Sequence, residues 1–168
     1  IGFTTEQDDF EIAKWRCDEM LDTILIETGA TSFQLWLSDT RENNFRYHLS
    51  PSYKANRTAP KPRHHEGIKE HLIVQWKARI AHGEEADDAL GIEQVNAITG
   101  KTIICSIDKD LLQIPGNHWN FVKKEHQIVT PEQGINFFYR QILIGDTSDN
   151  IDGCRGIGVA KAAKLLGS

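Results

Sequence analysis

Apolar side chains recur at helical spacing from the start of the chain. Phe10, Ala13, Cys17, Leu21 and Ile24 fall on one stripe with a period of 3.6 residues, so residues 4–28 are expected to form one amphipathic helix. Thr4 and Gln7 have the spacing of a capping box at its start, and Gly29 is a natural stop. The apolar run Phe33, Leu35, Trp36 and Leu37 predicts a buried strand that ends at Asp39. Helical spacing returns over residues 66–76, a short strand is expected around Ala78–Ala81, and a helix over Asp87–Ile98. Thr102–Ile107 is β-branched and apolar, predicting a central strand that runs into Asp108. A hairpin is expected from Trp119–Val122 and Gln127–Val129 around Lys123–His126. Thr130, Pro131 and Gln133 then open another helix. A glycine-rich stretch, Gly153 to Gly158, leads into a short helix ending at Leu166. Strands alternating with helices predict an α/β fold with a mostly parallel central sheet flanked by helices.

Between Arg41 and Lys69 the periodicity fades. Seven Lys or Arg stand against two Glu, with three Pro and three His, which predicts an exposed basic segment. Composition agrees with a globular chain, at 39% hydrophobic and 26% charged residues. No apolar run reaches the roughly 18 residues of a membrane span, so no membrane partner is expected. Cys17, Cys105 and Cys154 lack CxxC spacing, so neither a disulfide framework nor a zinc knuckle is expected, and a reducing cytoplasm is the expected home.

The net charge of −5 argues against a nucleic-acid partner until the acids are located. Asp39 and Asp108 each stand at the carboxyl end of a predicted strand, where open α/β sheets bind ligands. Glu85, Asp87 and Asp88 open a predicted helix, Asp110 follows Asp108, and Asp146 and Asp149 precede the glycine-rich stretch. Each small cluster alone is commonly a solvated loop or a helix cap. Eight carboxylates in one pocket, however, need a counter-charge, and oxygen-only ligands favour Mg²⁺ or Mn²⁺. So many acids fit two ions about 4 Å apart, clamping the oxygens of a phosphoryl transfer. With these eight set aside, sixteen acids face nineteen Lys and Arg. An acidic pocket in a mildly basic shell suits a nuclease. Arg46, Lys54 and Arg57 could grip phosphates while Tyr53 stacks on a base, or the segment is an ordinary solvated loop. Gly153, Gly156 and Gly158, with Lys161 beyond, could hold a phosphate at a helix N-terminus, or simply cap the helix.

Read in order, Ser38-Asp39, Phe45-Arg46, Tyr53-Lys54-Ala55-Asn56-Arg57, Glu85-Ala86-Asp87-Asp88-Ala89-Leu90, Ser106 to Leu111 and Ile144 to Ile151 resemble the flap endonuclease / 5′→3′ exonuclease family. The likeness is nearest to bacteriophage 5′→3′ exonucleases and the exonuclease domain of bacterial DNA polymerase I, and runs from about Ser38 to Leu166. The resemblance implies a PIN-like nuclease domain over residues 1–143 and a helix-hairpin-helix element over 144–168. It implies metal-dependent hydrolysis of DNA from 5′ ends, flaps or overhangs, leaving a 5′-phosphate on the released fragment. In that reading Asp39, Glu85, Asp87, Asp88, Asp108, Asp110, Asp146 and Asp149 hold two Mg²⁺, with Mn²⁺ able to substitute, and Lys54 and Arg57 orient the scissile phosphate. Gly153–Lys161 grips duplex backbone, with K⁺ as a further ion. The resemblance also implies a bacterial or phage-infected cytoplasm, with RNA–DNA hybrids as further substrates; nothing in the sequence suggests more than a monomer.

The family pattern begins with a strand bearing another ligand Asp. None is expected before the first helix here, and Asp8 and Asp9 fall within that predicted helix, so a fragment of a longer protein is expected. Two other readings are a non-catalytic module binding DNA junctions and a ribonuclease of related architecture.

Overall fold

A computed structural model describes residues 9–98 and 100–167. Helix α1 spans Phe10–Thr28, so Thr4, Gln7 and Asp8 of the expected helix start lie outside the described residues. It stops at Gly29, whose φ of 65° is left-handed and whose N–H donates to the Ile26 carbonyl. Ala13, Cys17 and Leu21 are buried against Ile68 of α3 (His65–Gln75), with Leu35, Leu72 and Trp76 packed around them. Asp18 Oδ1 accepts from Trp76 Nε1 at 2.6 Å and lies 2.7 Å from His71 Nε2, fastening the same two helices at their polar margin.

β1 (Trp36–Ser38) pairs in parallel with β2 (Arg79–Ala81), so Asp39 and the start of α4 (Ala86–Asn96) emerge side by side. Between them run the five-residue α2 (Phe45–Leu49), a series of turns, and α3. β3 (Ile103–Cys105) pairs in parallel with β4 (Gly116–Asn120), which pairs antiparallel with β5 (Glu125–Val129). A short 3₁₀ helix, Lys109–Gln113, lies between β3 and β4. α5 (Pro131–Ile144) starts with the expected capping box: Thr130 Oγ1 accepts from Gln133 N–H, and Gln133 Oε1 accepts from Thr130 N–H. Strands β6 (Gly145–Asp146) and β7 (Ile151–Asp152) form a small antiparallel hairpin before α6 (Val159–Leu166).

The α/β alternation is as expected, but the central sheet is not. Among the described residues the strands fall into a parallel pair, a mixed three-stranded sheet and the small hairpin. Two of the four pairings are antiparallel, because four residues between β4 and β5 and four between β6 and β7 can only turn the chain straight back. β1 and β3 each pair on one side only, and α4 packs across both. Between them, with α1 alongside, lies an apolar groove of about 820 Å³ lined by Leu21, Ile24, Trp36, Leu90 and Ile103.

The hairpin depends on two glycines. Gly145 has φ 81°, and a Cβ there would meet the Gly153 amide and the Ile151 carbonyl; a Cβ at Gly153 would meet the Ile144 carbonyl. These neighbours are backbone and cannot move aside cheaply. Gly153→Ala is therefore expected to destabilise the chain by about 2–3 kcal/mol in urea titration, as overpacking does. A midpoint unchanged from the parent would refute the close packing.

Candidate active site

Each expected carboxylate sits where the chain leaves a strand or enters a helix. Asp39 follows β1, and both its oxygens are engaged: Oδ1 accepts from Thr40 N–H and Asn43 Nδ2, Oδ2 from Gly83 N–H. These donors hold its carboxyl below the usual range. Glu85 caps α4, and Asp87 and Asp88 occupy its first turn, where the helix dipole favours negative charge. Asp108 caps the 3₁₀ helix by accepting from Asp110 N–H at 2.9 Å. Asp146 lies in β6, accepting from the Ser148 hydroxyl and N–H, and Asp149 lies in the turn to β7. Parallel pairing within β1–β2 brings Asp39 beside the start of α4, and the fold gathers the other acids to the same place. All eight carboxylates, with Arg46, Tyr53, Lys54 and Arg57, line one cleft of about 1070 Å³.

The cations divide the acids among them. Arg46 makes a two-pronged pair with Asp88, at 2.5 and 2.6 Å, and Asp88 Oδ2 also accepts from Glu85 N–H. Burial opposes the charge on Asp88, but that fork and N–H hold its carboxyl below the usual range. Lys54 Nζ lies 2.6 Å from Glu85 Oε1 and 3.8 Å from Asp149 Oδ2, and Arg57 Nη2 is 2.6 Å from Asp149 Oδ1. Tyr53 is 6% exposed, and its hydroxyl donates to Glu85 at 2.9 Å and Asp149 at 3.2 Å.

Two of the expected DNA-contact residues are engaged within the protein. The Arg46 guanidinium pairs with Asp88. Tyr53 has its ring packed against Tyr47 and its hydroxyl turned inward to Glu85 and Asp149. The basic segment is likewise built into the site: Asn44 is buried and caps α2, and the turns over residues 51–56 carry Tyr53 and Lys54 inward.

Elsewhere in the cleft negative charge is poorly compensated. Burial, then Asp108 and Glu85, push the Asp87 carboxyl up to about 6, and burial with Asp108 and Asp146 also raises Asp110. Asp146 Oδ2 is buried without a hydrogen-bond donor, and its nearest cation is Lys109 Nζ at 3.9 Å. Among the described residues no three of these side chains close onto one ion position. Lys54, Arg46 and Arg57 stand among the carboxylates instead. The donor set is all oxygen, and the orphaned Asp146 oxygen faces shared negative charge. Both fit a hard divalent cation.

Because Asp87 titrates higher folded than unfolded, its ionisation destabilises the fold. That penalty is absent below about pH 4, grows between about 4 and 6, and is complete above. In chelator, Asp87→Asn is therefore expected to be more stable than the parent at pH 7.5 by on the order of 1–2 kcal/mol, after discounting for solvent, and equal to it at pH 3.5. Urea midpoints at the two pH values test this, and an equal difference at both would refute it.

Sequence reasoning missed several supporting groups. Gln141 of α5 donates to Asp110 Oδ1 at 2.6 Å, and Lys109 hangs over Asp110 and Asp146. Asn56 Nδ2 donates to Thr147 O, and Asn150 Nδ2 to Ser52 O. Both Asn lie inside the motifs, so their position was the available signal; Gln141 gave none. Of the glycine-rich turn, Gly156 has φ 77° with open space at its Cα, Gly158 caps α6 without a side chain, and Lys161 Nζ donates to Gly156 O at 2.8 Å.

A profile of the family described as "5′-3′ exonuclease, N-terminal resolvase-like domain" matches residues 6–139. The chain belongs to the 5′-3′ exonuclease family. Among curated proteins it is 36% identical over 148 residues to DNA polymerase I of Borreliella burgdorferi, covering 76% of this chain and 16% of that protein. It is 32% identical over 146 residues to a 5′-3′ exonuclease of Buchnera aphidicola (76% and 50%), and 30% identical over 142 residues to flap endonuclease Xni of Shewanella baltica (76% and 54%). The chain thus spans about half, or much less, of these relatives. A bacteriophage T5 protein crystallised with metal ions superposes with a TM-score of 0.74 at 17% identity, over 98% of this chain and 70% of that one. T5 flap endonuclease in a complex with DNA and metal ions superposes with a TM-score of 0.70 at 16% identity, with the same coverage. Among the described residues no helix is long and apolar enough to cross a membrane.

Proposed function

We propose that the cleft hydrolyses DNA phosphodiester bonds at 5′ ends and flaps, with two divalent cations, Mg²⁺ first, held by the carboxylates. The observation that carries this reading is eight carboxylates lining one cleft beside Lys54 and Arg57, in a chain of this family. When bound, such cations neutralise the phosphate and activate the attacking water. Asp87 and Asp110 are the strongest ligand candidates, because burial and neighbouring acids raise their carboxyls; Asp108 stands between them, and Asp146 offers Oδ2 without a donor although, against burial, Ser148 and Lys109 hold its carboxyl below the usual range. Asp88 and Asp39 contribute more by holding the α4 start and the β1 exit in place. Lys54 and Arg57, on turning from Glu85 and Asp149 to a phosphate, orient it and stabilise its developing charge. The α5–hairpin–α6 unit, with Gly153, Gly156, Gly158 and Lys161, grips duplex backbone as a helix-hairpin-helix element, with K⁺ as a further ion. RNA–DNA hybrids are further substrates, and the enzyme acts as a monomer in the cytoplasm of a bacterium or an infected host.

The test is Mg²⁺-dependent cleavage of a 5′-labelled flap duplex by this chain and by a form extended at its N-terminus. Fragments carrying a 5′-phosphate, lost in EDTA, are expected. Flap binding without cleavage by either protein would overturn the reading in favour of a non-catalytic junction-binding module. Preference for an RNA flap would favour a ribonuclease.

A further inference from the structure

Two turns about ninety residues apart in sequence lock together at the edge of the cleft. One, residues 50–57, carries Lys54 and Arg57; the other, residues 146–150, carries Asp146 and Asp149. Their amides are exchanged reciprocally. Asn56 Nδ2 donates to Thr147 O at 2.9 Å, and Asn150 Nδ2 donates to Ser52 O at 2.8 Å. Between these two bonds, Lys54 N–H donates to Asp149 O at 2.9 Å. Lys54 and Asn150 both adopt left-handed backbone, with φ 51° and 58°. This conformation is unusual for lysine and is one that asparagine tolerates. Held that way, the first turn delivers the Lys54 and Arg57 side chains to Glu85 and Asp149.

We infer that Asn56 and Asn150 are positioning residues: they fix the register between the cationic turn and the carboxylate turn, and so act on cleavage through Lys54 and Arg57. The inference rests on the roles given to those two cations under the proposed function. Neither amide needs to touch DNA or a cation. Both are exposed, their acceptors are backbone carbonyls of the opposite turn, and each bond joins residues more than ninety positions apart. A displacement of about 1 Å in a group aligned with a reacting phosphate is enough to cost on the order of 100-fold in rate.

The experiment is a double-mutant cycle in single-turnover cleavage of the flap duplex by the longest active form of the protein. Asn56→Ala and Asn150→Gly are each made in the parent and in Lys54→Ala. Glycine at 150 keeps the left-handed turn, and Asn150→Asp, which keeps side-chain shape but loses the donor, serves if the glycine variant misfolds. Each is expected to lower the cleavage rate about 10- to 100-fold in the parent, with flap affinity and Mn²⁺ affinity within about twofold. In Lys54→Ala the same changes are expected to cost less than about threefold. Equal losses in both backgrounds, or parallel losses of Mn²⁺ affinity, would reduce the asparagines to general structural support and overturn the inference. Amide hydrogen exchange at Lys54 provides a readout without activity. It is expected to speed up at least about 10-fold in each variant, and unchanged exchange would overturn the clamp even if no form of the protein cleaves DNA.

Discussion

Asp87→Asn and Asp108→Asn should each lower Mg²⁺-dependent flap cleavage at least about 10³-fold while leaving flap affinity within a few-fold. Burial first, and then repulsion from Asp108 and Glu85, pushes the Asp87 carboxyl up to about 6. An amide at either position relieves that repulsion but weakens the cleft's hold on a divalent cation. DNA affinity resides chiefly in cations facing the phosphates, and neither substitution removes one. Cleavage rates and flap binding in Ca²⁺ distinguish the outcomes. Equal loss of binding and cleavage would count against a role for these acids in holding catalytic cations.

The second large effect concerns Lys54. Its side chain is 11% exposed and that of its partner Glu85 15%, so this pair is largely withdrawn from water. Removing the cation leaves Glu85 beside Asp87 with the Tyr53 hydroxyl as its remaining side-chain donor, while Asp149 keeps Arg57. Lys54→Met is expected to lose about 2–3 kcal/mol of stability in EDTA, near the lower end for breaking a buried pair. Saturating Mg²⁺ is expected to recover most of that loss, because the ion supplies the missing charge, and to stabilise the variant more than the parent. If Mg²⁺ raised the urea midpoint of both proteins equally, Lys54 and the cation would not be sharing the same carboxylates.

The positions of the acids were legible because a strand's hydrophobic pattern ends abruptly. Asp39 and Asp108 each terminate an apolar run, and α4 begins on three acids whose charge suits a helix start. Parallel pairing of β1 with β2 sets Asp39 beside the α4 start, and α4, packed against both β1 and β3, brings Asp108 to the same cleft. The helices were legible from periodicity, though α1 buries only Ala13, Cys17 and Leu21 of its stripe and leaves Phe10 at 36% exposure against Gly67. The segment from Arg41 to Lys69 was not legible. Its helix α2 is only five residues long, too short for a period to register, and its fold is set by capping at Asn44 and by bonds to distant turns. The same holds for Arg46 and Tyr53. Their residue types suit phosphates and bases, but tertiary packing places Asp88 and Glu85 within reach first. The mostly parallel central sheet is divided among the described residues for a related reason, since runs of three apolar residues identify strands but not which edges meet.

The interlocked turns have a consequence for folding order. Bonds between residues 52–57 and 147–150 span 91 to 98 positions. Bringing such distant points together costs roughly 4 kcal/mol of chain entropy from the length-dependent part of loop closure alone. Contacts of that range consolidate late, after α1–α3 and the β3–β5 sheet supply the enclosing scaffold. The cationic turn and the Asp146–Asp149 turn therefore meet only near the end of folding. A growing chain carries its basic turn long before it carries a cleft able to cut.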